Sequence, residues 1–189
     1  MDDWLLIATG VTGGITLDFL VRWLFRVFSP LPLVRPHFSP KGGCTEAVVA
    51  ELKAARHEIL VLAYSFSSKP IAQALIEAKT RGVKVEVVLD KSNEQEAYSD
   101  LPLLMEQGLA PLIDSHHAIA HNKVMILDRR TLITGSFNFT HQAEAENGEN
   151  MLILKGHPEL VAEYCKNFEE HKGHSKAPQK PAHALKKAA

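Results

Sequence analysis

Along this chain, short unbroken apolar runs alternate with longer stretches in which apolar residues recur every three or four positions. Ile59-Leu60-Val61-Leu62-Ala63-Tyr64 is a continuous apolar run of the kind that forms a strand covered on both faces, and Val83 to Leu89 is a second. Leu109 to Ile113 reads as a shorter third strand. Helical spacing fills the intervals. Thr45 to Arg56 carries Val48, Val49 and Leu52 behind a Thr cap, and Ser68 opens a helix with Pro70 in its first turn and Ile71, Leu75 and Ile76 on one face. Gly82 ends that helix, and Asn93 to Gln107, closed by Gly108, predicts another. Further on, Val124 to Leu127 and Thr131 to Thr134 are both strand-like, and a two-residue loop at Arg129-Arg130 would join them as an antiparallel hairpin. Asn150 to Lys155 adds a strand. Pro158 to His171 adds a closing helix whose buried stripe is Leu160, Val161, Tyr164, Cys165 and Phe168. The pattern predicts an α/β fold: a mixed, mostly parallel sheet flanked by helices, with a hydrophobic helix ahead of it.

The two ends depart from this alternation. Trp4 to Val21 is an 18-residue apolar run broken only by Asp18, and Arg22, Trp23, Phe25, Arg26 and Phe28 follow it in an interfacial mix of aromatics and cations. Residues 1–28 therefore predict an N-terminal membrane-anchor-like helix. The alternatives are a cleaved signal peptide, which the Met-Asp-Asp start disfavours, and an amphipathic packing helix. Gly10 and Gly14 would permit close helix pairing. Arginines follow the run and none precedes it, so the positive-inside rule places the main domain on the cytoplasmic side; a cleaved signal would instead make it periplasmic or secreted. Ser29 to Gly43, with four prolines, suits a linker or a strand leading into the domain rather than a helix. The predicted organisation is thus 1–28 anchor, 29–172 main folded domain, and 173–189 a disordered tail of Lys, Ala and Pro without periodicity.

Charge sharpens the last boundary. The net charge of -1 hides five Lys and no acid in residues 171–189, against 22 acidic and 16 basic residues before them. Such a tail is drawn to polyanions, either nucleic acid or an acidic membrane surface, unless it only aids solubility. With 46% hydrophobic and 23% charged residues, the chain is a folded protein of one ordinary domain plus appendages. Cys44 and Cys165 form no zinc-type or disulfide framework.

The chemistry concentrates in His121-Asn122-Lys123 and the residues after it. On a strand His121 and Lys123 point the same way, setting a nucleophile or proton carrier beside a fixed positive charge. A two-residue hairpin loop would bring Lys123 opposite Ser136 and His121 opposite Asn138, whereas a three-residue loop would shift each pair by one. Asp128 lies at the far end of the strand, ~20 Å from His121, where it is expected to support the hairpin rather than touch substrate. His116 and His117, in the loop before the motif, read as solvated histidines, and His37, His57, His141 and His157 show no metal-ligand spacing.

His121, Lys123 and Asp128 in HxKxxxxD spacing, with Gly135, Ser136 and Asn138 as GSxN and with Glu149-Asn150 beyond, resemble the phospholipase D superfamily. The resemblance runs from Phe38 to about Phe168 and is nearest to single-motif Nuc-type endonucleases and to mitochondrial phospholipase D (Zucchini), whose Cys-rich insertion is missing here. It implies an α/β/α sandwich and a homodimer, because two copies of the motif make one site. It further implies catalysis by His121, Lys123, Asp128 and Glu149, with Glu149 orienting the histidine, and phosphate binding by Lys123, Ser136 and Asn138. No metal or other cofactor is expected, since lysines supply the positive charge. Two identical histidines would then hold opposite protonation states, which predicts a bell-shaped pH–rate profile. The expected function is metal-independent hydrolysis of nucleic-acid phosphodiesters through a phosphohistidine, with low sequence specificity. The alternatives are a lipid phosphodiesterase acting on phosphatidyl or cardiolipin substrates at a membrane, and a non-enzymatic membrane-tethered nucleic-acid binder.

Overall fold

The computed structural model describes residues 32–179. The expected anchor over 1–28 and the end of the basic tail lie outside them, and no helix among the described residues is long and apolar enough to cross a membrane. The elements run β1 (Leu33–Phe38), α1 (Cys44–Ala54), β2 (Glu58–Ala63), β3 (Phe66–Ser67), α2 (Lys69–Thr80), β4 (Lys84–Asp90), α3 (Leu101–Glu106), β5 (Leu112–Asp114), β6 (Lys123–Leu127), β7 (Thr131–Gly135), β8 (Phe139–Thr140), α4 (His141–Ala145), β9 (Asn150–Lys155) and α5 (Pro158–His174). Seven strands form one sheet in the order β1-β9-β7-β6-β2-β4-β5, and β3 pairs with β8 beside it.

Alternating side chains of the sheet feed two cores. Ile59, Val61, Met125, Ile133 and Ile153 face Val48 and Leu52 of α1 and Ile71 and Leu75 of α2, whereas Leu60, Leu62, Val124, Ile126 and Leu132 face Val161, Cys165 and Phe168 of α5. This is the expected sheet between helix layers. It explains the unbroken apolar runs, since strands covered on both faces have no polar side to show.

The sheet is mixed but not mostly parallel. Only β2–β4 and β4–β5 are parallel, while β2–β6, β6–β7, β7–β9 and β9–β1 are antiparallel. Parallel neighbours need a crossover of a dozen or more residues. The helices α2 and α3 lie on such crossovers, whereas the three residues joining β6 to β7 leave no room for one. The proline-rich stretch resolves as strand β1, and Pro36 is tolerated there because β1 is an edge strand.

Three further boundaries differ from the sequence pattern. The helix expected over Asn93–Gln107 contracts to Leu101–Glu106 after a 3-10 turn at Lys91–Glu94, because Asn93 to Ser99 offers no apolar face to bury. Helix α1 starts without a side-chain cap of its own. Instead the Glu144 carboxylate of α4 accepts from the backbone N–H groups of Gly43 (3.1 Å) and Thr45 (2.7 Å). Helix α5 continues past the expected domain edge at 172 to His174, and Lys176 then exchanges backbone hydrogen bonds with Ile113 at 2.7 and 3.0 Å, so ordered chain replaces the disorder expected from Gly173.

Candidate active site

The hairpin sets the geometry of the site. Its loop has three residues, with Asp128 and Arg129 at φ 50° and 52°, so Leu127 pairs with Thr131 and Val124 with Thr134. The register is therefore one residue out from the two-residue expectation, and continuing it brings Lys123 level with Gly135 rather than Ser136. Strand β6 also begins only at Lys123, so His121 and Asn122 belong to the incoming loop. A hydrogen bond from the Tyr64 N–H to the Asn122 carbonyl (2.8 Å) holds that loop against the end of β2.

His121 is exposed, whereas Lys123 beside it is 7% exposed. The Lys123 ammonium donates to the His121 carbonyl (3.2 Å) and stands 5.0 Å from the centroid of the Tyr64 ring, which lies 4.5 Å from the centroid of the His121 imidazole at a tilt of 52°. Tyr64 thus floors both groups and gains from the cation above it. In the sequence it ends an apolar run and falls within Ala63-Tyr64-Ser65-Phe66, a stretch that shares the family resemblance. Burial pulls the Lys123 ammonium below the usual lysine value, and the Glu149 carboxylate nearby opposes that shift only in part.

The structure gathers Ser136 and Glu149 directly: Ser136 Oγ donates to Glu149 Oε2 at 2.6 Å and accepts from the Asn150 backbone N–H at 3.0 Å. The other Glu149 oxygen accepts from Asn147 Nδ2 at 3.1 Å. The carboxylate expected to orient His121 is therefore bonded to Ser136 and Asn147, and it acts on Lys123 through its charge. Asn138 Oδ1 is buried without a hydrogen-bond partner, an arrangement native proteins seldom keep without use for the atom.

Asp128 sits at the opposite end of β6. Its carboxylate accepts from the backbone N–H groups of Arg56 (2.9 Å), His57 (2.7 Å) and Glu58 (2.9 Å), tying the hairpin turn to the start of β2. These bonds make Asp128 part of the hairpin's attachment to β2.

Gly135 is the residue that allows β7 to lie so close to β9. A Cβ there would overlap the carbonyl oxygen of Asn150 and crowd the Cα of Met151, and both atoms are backbone that cannot rotate away. Gly135→Ala is expected to cost about 2–4 kcal/mol and to displace Ser136 and Glu149. Urea unfolding checks this, and a wild-type midpoint would contradict it.

Residues 48–172 match the family described as "Cardiolipin synthase, PLD-like domain". A protein named phospholipase D in Rickettsia typhi is 41% identical over 131 residues, 69% of this chain and 64% of that protein's length. Mitochondrial cardiolipin hydrolase of Xenopus laevis is 28% identical over 183 residues, covering 86% of this chain and 87% of its own. Among solved structures, Nuc from Salmonella typhimurium, described as a phospholipase D family member, superposes with a TM-score of 0.74 at 32% identity, covering 78% of this chain and 99% of Nuc. With the family match spanning more than half of its residues, and with His121, Lys123, Ser136 and Glu149 meeting at one end of the sheet, the chain belongs to the phospholipase D superfamily, a superfamily of phosphodiesterases.

Proposed function

We propose that the protein is an endonuclease of low sequence specificity that hydrolyses nucleic-acid phosphodiesters at a site completed by a second copy of the chain. The observation that carries the reading is the pairing of an exposed His121 with a buried, desolvated Lys123 on the Tyr64 ring. One chain offers one such pair. A two-fold axis beside His121 would bring two pairs together, as an isologous interface does for any residue at the axis.

In the reaction, a neutral His121 attacks phosphorus and forms a P–N bond as the P–O bond to the leaving group breaks. The partner's His121 protonates the departing oxygen. The same histidine then takes a proton from water, whose oxygen displaces the first imidazole and yields a phosphomonoester and free His121. Lys123 of both chains stabilises the charge on the non-bridging oxygens. Its burial strengthens that interaction, since a charge in a low-dielectric setting is worth more than one in water. Asn138 Oδ1 has no hydrogen-bond partner, and as an acceptor it would take a donor from the second chain or a substrate hydroxyl, while the Nδ2 of the same amide would be the group to reach a phosphate oxygen.

The motif resemblance to Nuc-type endonucleases supports nucleic acid as substrate, and the likeness to Nuc runs over nearly that whole protein. The names of the Rickettsia and Xenopus relatives favour a second reading, a lipid phosphodiesterase. Both substrates present the same phosphodiester to the same two histidines, so the chemistry does not separate them. Incubating the full chain in magnesium-free buffer with single-stranded DNA, with RNA and with cardiolipin vesicles does. Cleavage of DNA or RNA with intact lipid is expected, and release of phosphatidic acid with intact nucleic acid would transfer the assignment to lipid. Magnesium added afterwards should leave the rate unchanged, and a rate that required it would overturn the mechanism.

A further inference from the structure

Two short sequence pairs, Asp114-x-x-His117 after β5 and His171-x-x-His174 in the last turn of α5, meet on the side of the sheet covered by α5. On a helix, residues three apart share a face, so His171 and His174 present their rings together. The backbone pairing of Ile113 with Lys176 fixes the end of α5 against the end of β5 and brings the two pairs into register.

The geometry at that junction is unusual for a purely hydrogen-bonded cluster. Asp114 is fully buried, and one of its oxygens, Oδ2, is approached by three imidazole nitrogens: His171 Nδ1 at 2.6 Å, His117 Nδ1 at 3.0 Å and His174 Nε2 at 3.2 Å. The other oxygen is held by the backbone N–H groups of His116 (3.0 Å) and His117 (3.4 Å), which fixes the carboxylate. An oxygen with two lone pairs cannot serve three N–H donors well. A cation among the four groups can serve all of them, because each then turns a lone pair inward.

We propose that Asp114, His117, His171 and His174 form a structural metal site for a divalent transition ion, zinc by choice of donors. Their ligand atoms lie within 4.8 Å of one another. A tetrahedron with bonds of ~2.0–2.1 Å has edges of ~3.3 Å, so small side-chain rotations close the set. Three imidazoles and one carboxylate suit zinc and exclude calcium or magnesium, which take oxygen ligands. Four protein ligands make a closed site with no position for water or substrate, which is the signature of a structural centre. The end of a 17-residue helix adds its negative pole. Outside the four ligands, Asn122 lies 3.4 Å from His171 Nε2; with its amide turned to present the oxygen, it accepts that N–H and fixes the ring.

The site lies apart from the reacting groups yet borders them. Asn122 stands between His121 and Lys123, and Ala120 is already held by Asp90 Oδ2 through its backbone N–H (2.7 Å). The ion would clamp the loop of residues 115–122, and with it His121, to the last helix.

Metal binding by the full chain tests this. The chelated protein is titrated with cobalt(II) and with zinc, followed by visible absorption and by thermal melting. One equivalent of cobalt per chain is expected to give the strong visible bands of four-coordinate cobalt, displaced by zinc. Zinc is expected to raise the melting temperature by ~5 °C or more. His117→Ala and His174→Ala, both at partly exposed positions, should fold and lose both signals. Absence of stoichiometric binding by the wild-type chain would overturn the proposal, and so would cobalt bands that persist unchanged in the two variants. Neither readout depends on turnover, so the result stands apart from the assignment of substrate.

Discussion

Replacing His121 with alanine is expected to reduce phosphodiester cleavage by roughly 10^4-fold or more, the scale seen when a member of a catalytic unit is removed. The side chain is exposed, so its loss leaves the fold intact, and circular dichroism and melting should match the wild type. The more telling measurement mixes the two proteins. If each site needs both copies of His121, only wild-type homodimers turn over, and after subunit exchange an equal mixture retains about one quarter of the activity per total chain. A site contained within one chain would retain half. Trapping of labelled phosphate as an acid-labile, alkali-stable adduct on the wild type, absent from His121→Ala, separates covalent catalysis from direct attack by water.

Asp128→Ala is expected to act on stability instead, by about 2–4 kcal/mol, because three backbone N–H groups lose a charged acceptor and the residue sits at φ 50°, where Ala is strained. For a domain of this size that corresponds to a fall in melting temperature of roughly 5–15 °C. Burial alone would raise the Asp128 carboxyl, but the N–H groups of Glu58, Arg56 and His57 outweigh it and hold the value below the ordinary aspartate range. The native state therefore binds this proton more weakly than the unfolded chain does. The stabilisation is complete above the unfolded value of ~3.9 and is lost as the pH falls through the lower folded one. The difference between wild type and Asp128→Ala should be flat from neutrality down to pH ~5 and narrow at more acid pH to the part that comes from backbone strain at φ 50°. Urea titrations across that range check it, and a difference that did not narrow at all in acid would rule out a charge-based anchor.

Much of this was legible in the sequence, for identifiable reasons. The strands announce themselves as unbroken apolar runs because each is covered on both faces, and α5 does so because Val161, Cys165 and Phe168 recur at helical spacing. The residues of the site are visible because their types and offsets are rare together. What escaped depends on partners distant in the chain. The hairpin register turned on whether Asp128 adopts positive φ, and that conformation is sustained by backbone N–H groups some 70 positions away. The direction of most strands was hidden, because an apolar run reads the same both ways. Asp114-x-x-His117 and His171-x-x-His174 are each too short to signal anything; their meaning lies in a meeting across 57 residues. Tyr64 was readable as the end of an apolar run and as part of Ala63-Tyr64-Ser65-Phe66 in the family resemblance, but not as the ring that lies against both His121 and Lys123.

The antiparallel neighbours of β2 carry a consequence for how this protein can change. Because β6 runs against β2, Lys123 enters the sheet where Ala63 leaves it, and Ser136 and Glu149 flank the same edge. The opposite edge holds Asp128 and Glu58, with Arg129 and Lys84 each bonded to Glu58. Reactivity and anchorage thus occupy opposite rims of one sheet, with two cores between them. Loops at the reactive rim can lengthen or change sequence to admit a different phosphodiester while the rim that secures the fold stays as it is. Lesions at the anchoring rim would lower the amount of intact protein without altering the rate of each surviving molecule.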